Sequence, residues 1–321
     1  MRPKLLVIGA PGYRRGGNLR CLRAVREYSK HFDVYLLTPA KHHPELLEDR
    51  VLADLSKRGA TLAGYFYNSL AAKTHIENLL TNHVIPSVFP KVYSKLLLDK
   101  CKFDAVFVEH ENLDYVIMGV LLSQEQGIAA GVLLQNPPFL GSPERVRNLL
   151  RIHLLWRSLT SGTVFESILN EVKITYRLLI LNHLFKHTYE SLLKRYNLVL
   201  GVSKATLTEM GTDYLVKSNF KFLDPGVALN EEDVAYIHKV RNIAKEKALI
   251  VFKGGFAVEK GLLDVLLAFK LILRERKDSK LYVTGAPHPT IVEGARKVCR
   301  KFGIENKVVF TGFLDKLNVL K

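Results

Sequence analysis

A lone lysine follows two glycines in the stretch VFKGGFAVEKG (residues 251–261), and the apolar run LLDVLLAFKLIL begins directly behind it. The stretch reads as a strand, a glycine turn and the mouth of a helix. At such a mouth the first backbone N–H groups lack partners inside the helix, and the helix dipole adds partial positive charge. Acidic side chains stabilise that place, so Lys260 opposes the dipole unless an anion shares the site. Gly254 and Gly255 would let a ligand approach the backbone closely. Two readings stand side by side: a cation and N–H groups around a phosphate, or a solvated lysine in a glycine turn. The stretch alone leaves both open.

The elements that must position this lysine alternate along the chain. Lys4–Gly9, Asp33–Thr38, Ala105–Glu109, Ala130–Leu134 and Leu198–Val202 are unbroken apolar runs, separated by segments with helical spacing such as Leu19, Leu22, Val25 and Tyr28. That pattern predicts a parallel sheet covered on both faces. Asp224-Pro225-Gly226 is a turn signal, after which a second series begins: strands at Leu249–Phe252, Lys280–Thr284 and Val308–Thr311 with helices at Leu262–Arg274 and Ile291–Phe302. The expected organisation is α/β, with a Rossmann-like domain over 1–225, a helical insertion at about 143–197, and a second Rossmann-like domain over 226–321.

Composition narrows the partners. A chain of 321 residues with 48% hydrophobic and 24% charged side chains has a folded, soluble composition. No apolar run reaches the length of a membrane span, and MRPKLLVIGAPG reads as a first buried strand rather than a signal peptide. Cys21, Cys101 and Cys299 stand far apart without CxxC spacing, which points to a reducing compartment and away from a zinc site. His42, His43, His75, His83 and His288 have no metal-ligand partners at helical spacing. The net charge of +16 is spread over both halves and favours anionic partners: nucleotides, lipid head groups or nucleic acid. No aromatic-rich basic stripe or nucleic-acid motif accompanies it, which weighs against the last. Residues 173–196 carry apolar side chains on more than one face, either as a packed insertion with a basic solvent side or as a surface resting on anionic lipid. GxGxxG after a strand, GxxxxGK[ST], GxSxG and Asp-x-Asp are all missing, the last weighing against a metal-dependent sugar-nucleotide site.

Taken in order, six segments resemble glycosyltransferases of the two-Rossmann (GT-B) type, family 4 of the retaining enzymes. KLLVIGAPGYRRGGNLR resembles the strand and glycine loop that face the donor diphosphate, with Gly16 and Gly17 opening the helix. FDAVFVEHENLD resembles the strand-end motif facing sugar and acceptor, through His110 and Glu111. NLVLGVSKATLTEM and FLDPGVALN resemble the segments near the domain crossing. VFKGGFAVEKGLLDVLLAF resembles the Gly-Arg…Lys-Gly element, and KLYVTGAP with NKVVFTGFLDKL the strands that follow.

The resemblance implies two Rossmann-type domains facing a cleft. It implies transfer of a sugar from a nucleotide-sugar co-substrate to a glycan or lipid-linked hydroxyl acceptor, with retention and without a metal or other cofactor. Lys260 and His110 take the catalytic positions; Gly16, Gly17, Lys253, Gly254, Gly255 and Glu111 take donor-binding ones. A fixed cation and preorganised N–H groups would stabilise the diphosphate as the glycosidic bond to it breaks. The arginine of the pattern falls on Gly255, two residues after Lys253. The pattern's Glu-x7-Glu element does not occur before Lys321, so the second domain is expected to be incomplete, supplemented by a missing segment or a partner chain. A non-catalytic remnant or partner subunit is the alternative. The expected location is cytoplasmic, peripheral at the inner membrane face.

Overall fold

The computed structural model describes residues 2–12, 16–39, 49–66, 101–161, 168, 171–172, 175–223, 234–236, 238–239, 249–252, 260–285, 289–312 and 314. Two compact units divide the chain: Met1–Pro143 with Ile180–Pro225, and Glu144–Leu179 with Gly226–Lys321.

Among the described residues the first unit is built on seven strands: β1 (Lys4–Ile8), β2 (Asp33–Pro39), β3 (Thr61–Phe66), β4 (Ala105–Val108), β5 (Ala129–Leu134), β6 (Leu198–Gly201) and β7 (Phe220–Phe222). Their order is β3-β2-β1-β4-β5-β6-β7, and every neighbouring pair is parallel. Parallel neighbours need crossovers, which place helices over the faces and bury strands on both sides. β1 shows this directly. Leu5 and Val7 pack with Leu22 and Val25 of α1 (Gly16–Tyr28) and with Val51 and Leu55 of α2 (Asp49–Lys57). Leu6 and Ile8, on the other face, join the cluster of Val116 and Val120 from α3 (Leu113–Gln126). β3 and β7 are strands that sequence pattern does not mark. Both lie at sheet edges, where one side needs no cover: Thr61, Lys221 and Phe222 are exposed, so neither segment is an unbroken apolar run.

The second unit carries β8 (Leu249–Phe252), β9 (Lys280–Thr284) and β10 (Val308–Gly312), parallel and in the order β10-β9-β8. This unit also contains a helix that chain order assigns elsewhere. Of the helical stretch placed within 1–225, α4 (Pro143–Thr160) packs with the second unit, whereas α5 (Asn182–Leu193) packs with the first. Trp156 of α4 is buried in a core formed by α7 (Leu262–Glu275), β9 and α8 (Pro289–Phe302). At Gly294 of α8 an added Cβ would come within 3.2 Å of Thr160 Cγ2 and 3.4 Å of Trp156 Cζ2. The missing side chain lets the two helices approach. An indole is the largest apolar surface a side chain can bury, so it goes with the core that can cover it. Tyr189 and Leu193 anchor α5 in the first core instead, below a π-helical turn at Tyr176–Leu181. Further along the first unit, α6 (Lys204–Met210) starts on Ser203, whose hydroxyl accepts from the Thr206 N–H at 3.2 Å.

Candidate active site

In the first unit the strand order reverses at β1. The chain runs outward from β1 to β2 and β3, then returns to lay β4 on the other side. Crossovers leaving β1 and β4 diverge over opposite faces, which opens a crevice beyond the carboxyl ends of these two strands. Two segments line that end: Gly9-Ala10-Pro11-Gly12 after β1, and Glu109-His110-Glu111-Asn112 after β4. They are held by the sheet ladder, since Gly9 N–H donates to Leu37 O at 3.1 Å and Glu109 N–H to Ile8 O at 2.9 Å. Gly12 N–H donates to Asn18 O at 3.0 Å, folding the loop back on the helix it precedes. That helix, α1, opens at Gly16 and Gly17 with no acidic residue in its first turn. Its leading N–H groups are therefore not neutralised from within the turn.

His110 is half-buried, with its side chain 30% exposed and its ring edge-on to Tyr115 at 5.9 Å. The Asn112 backbone N–H donates to Nδ1 at 3.2 Å, which assigns the proton of the neutral ring to Nε2. His110 thus offers an N–H donor suited to a hydroxyl or a phosphate oxygen. Glu111 Oε2 lies 3.4 Å from the same Nδ1 and can accept from it when the ring is protonated.

Glu111 itself is buried and engaged inward. Oε2 accepts from Gln135 N–H at 2.9 Å, Oε1 accepts from Asn136 Nδ2 at 2.8 Å, and its backbone oxygen accepts from the buried Tyr189 hydroxyl at 2.5 Å. These bonds tie the end of β4 to the end of β5 and to α5. In this arrangement Glu111 fixes the peptide that carries His110.

Glu109 went unmarked as a functional residue by sequence reasoning. It is 1% exposed, Tyr28 Oη donates to its Oε1 at 2.7 Å, and its Oε2 has no hydrogen-bond partner. Gln135 Nε2 donates to its backbone oxygen at 2.7 Å. Burial pushes the carboxyl up to about 7, against the opposing pull of the Tyr28 hydrogen bond and the Arg20 charge. Burial and the Glu109 charge also raise the Cys21 thiol and the Tyr28 phenol well above their ordinary ranges. The signal was strand alternation. Phe107 packs on the α1 side, with its ring 5.8 Å from that of Tyr28, and a residue two further along shares that side.

In the second unit Lys260 directly precedes Gly261, which caps α7 at a φ of 83°. The lysine is exposed. Asp264 stands in the first turn of α7, so the helix start already has an acidic residue of its own. Lys253, Gly254 and Gly255 lie outside the described residues, as does the crossing at Asp224–Val227. Among the described residues no group of three or more His, Cys, Asp or Glu could hold a metal ion, and no helix is long and apolar enough to cross a membrane.

No family profile and no curated protein matches the chain. Solved structures do. The Anabaena protein HepE, crystallised with UDP and glucose, is 14% identical over 98% of this chain and 70% of its own, with a TM-score of 0.52. A glycosyltransferase from Rickettsia africae is 14% identical over 99% of this chain and 70% of its own, at 0.53. The UDP-N-acetylglucosamine 2-epimerase of Rickettsia bellii is 13% identical over 99% and 71%, at 0.50. The fold is GT-B-like.

Within this GT-B-like fold each unit presents a strand end and a helix start. In the first unit the β1–α1 loop and the β4 end adjoin at the switch point. In the second, Lys260 stands at the start of α7 after β8.

Proposed function

We propose that the chain transfers a glycosyl unit from a nucleotide-sugar donor to a hydroxyl acceptor, a glycan or a lipid-linked one, with retention and without a metal. The observation that carries this reading is the switch-point pairing of the glycine loop after β1 with His110 after β4, in a fold shared with nucleotide-sugar enzymes. Open α/β sheets bind ligands at such a point. His110 Nε2–H donates to a sugar or acceptor hydroxyl. The ammonium of Lys260 meets the donor diphosphate, whose negative charge grows as the glycosidic bond breaks. Lys253, Gly254 and Gly255 complete the donor side. Spread positive charge draws the anionic donor and favours anionic lipid near a lipid-linked acceptor.

UDP is the probe, because HepE was crystallised with it. Calorimetry should show UDP binding more tightly than uridine. Lys260→Ala should weaken UDP about 10- to 100-fold and leave uridine unchanged, as for loss of a charge-assisted contact. An equal loss for both ligands would remove Lys260 from the diphosphate site, and no binding of any nucleoside diphosphate would overturn the reading. A second reading has its own observation, the likeness to a UDP-N-acetylglucosamine 2-epimerase. Labelled donor separates the two: transfer moves the label to an acceptor, whereas epimerisation changes the sugar at carbon 2 and labels none. Transfer should persist in EDTA.

A further inference from the structure

Away from the switch point, α5 carries two histidines one turn apart, His183 and His187. Both are exposed. Their Nε2 atoms lie 3.2 Å apart and their rings meet edge-on with centroids at 4.6 Å. The i,i+4 spacing stacks the two imidazoles on one helix face, and the short contact requires that one nitrogen donate and the other accept. This is a weak arrangement for a hydrogen bond on an open surface, where water competes for both atoms.

The same spacing suits something stronger. Two nitrogens 3.2 Å apart subtend about 100° at an ion with metal–nitrogen bonds of roughly 2.05 Å. That angle falls between the square or octahedral value and the tetrahedral one, so small rotations of the rings serve either geometry. We propose that His183 and His187 form a two-nitrogen chelate for one divalent late first-row ion, Cu2+, Ni2+ or Zn2+.

The chemistry requires both rings as Nδ1–H tautomers with Nε2 lone pairs turned to the ion. Neutral rings reach that state by moving the shared proton between ring nitrogens, with no net release. Protons compete for the same lone pairs, so binding weakens in acid. The ion's remaining positions face solvent and hold water or an external ligand. Leu179 and Ile180, about half exposed, and Leu184 lie on the same helical stretch, so the ion would stand beside an apolar patch. The π-helical turn at Tyr176–Leu181 leads directly into α5, and a clip across the following turn would hold that junction. The chelate does not depend on the glycosyl-transfer reading and uses none of its residues.

Cu2+ is the probe, added to the full-length chain at neutral pH in a non-coordinating buffer. Equilibrium dialysis should show the double variant His183→Ala/His187→Ala binding one ion fewer per chain than the wild type. Either single variant should lose at least 10-fold in affinity at that site. Electron paramagnetic resonance should show two equivalent imidazole nitrogens in the wild type and one in each single variant. Both side chains are exposed, so circular dichroism should confirm that the variants are folded. His31→Ala, on a different element, should match the wild type. Equal ion counts for the wild type and the double variant, or a one-nitrogen spectrum in the wild type, would overturn the proposal.

Discussion

The Tyr28 hydroxyl donates to Glu109 Oε1 across 2.7 Å, linking the last turn of α1 to the end of β4 beneath the helix. Glu109 is buried and Tyr28 partly so, and the second carboxylate oxygen has no partner. A carboxyl in that position is stable when neutral and costly when charged.

Stability should therefore depend on pH through Glu109. Its folded value of about 7 lies above the ordinary 4.5. Below 4.5 both folded and unfolded states hold the proton, and the contribution is complete. Between 4.5 and 7 only the folded state holds it, so stability falls as pH rises; above 7 the loss is constant, about 3 kcal/mol. Glu109→Gln should flatten this segment of the profile and melt higher than the wild type at pH 8. Urea titrations from pH 4 to 8 measure it, and parallel profiles for the two proteins would refute the assignment.

Gly9 lies between the same helix and strand. A Cβ there would come within 2.6 Å of Cys21 Sγ and 3.1 Å of Glu109 Cβ. Gly9→Ala should lower stability by about 1–3 kcal/mol through overpacking. Cys21→Ala removes the closer obstacle, so the double variant should recover part of the loss. Strict additivity in thermal melts would show that the two positions do not compete for space.

Glu111 should act through His110. Replacing it with Ala leaves the Gln135 N–H and the Asn136 amide without their acceptor, at a cost of about 1–3 kcal/mol. Transfer should fall as well, because the peptide carrying His110 loses its ties. In a His110→Ala background the same change should still lower the melting temperature but reduce transfer no further. A full additional loss of activity would instead give Glu111 its own contact with substrate.

Trp156→Ala should destabilise the second unit by about 3–5 kcal/mol, as truncation of a buried aromatic does. Hydrogen exchange should quicken in α7, β9 and α8 and stay slow in β1 and β4. Faster exchange confined to the first unit would contradict the assignment of α4 to the second core.

Local physics carried much of this into the sequence. The unbroken apolar runs at β1, β2, β4, β5 and β6 were legible because a parallel strand needs cover on both faces. The glycine loop, the histidine after β4 and the lysine before α7 were legible because each sits where one kind of element gives way to another. Tertiary structure decided what those signals leave open. The sequence does not state strand order, and only the order β2-β1-β4 brings the glycine loop and His110 to one crevice. Whether Glu111 faces a ligand or its neighbours depends on Gln135 and Asn136, more than twenty residues away. Glu109 is abnormal only because α1 folds down over it. Trp156 belongs to the second core although its neighbours in sequence suggest the first, because burial follows the surface that closes over a side chain and not its distance along the chain.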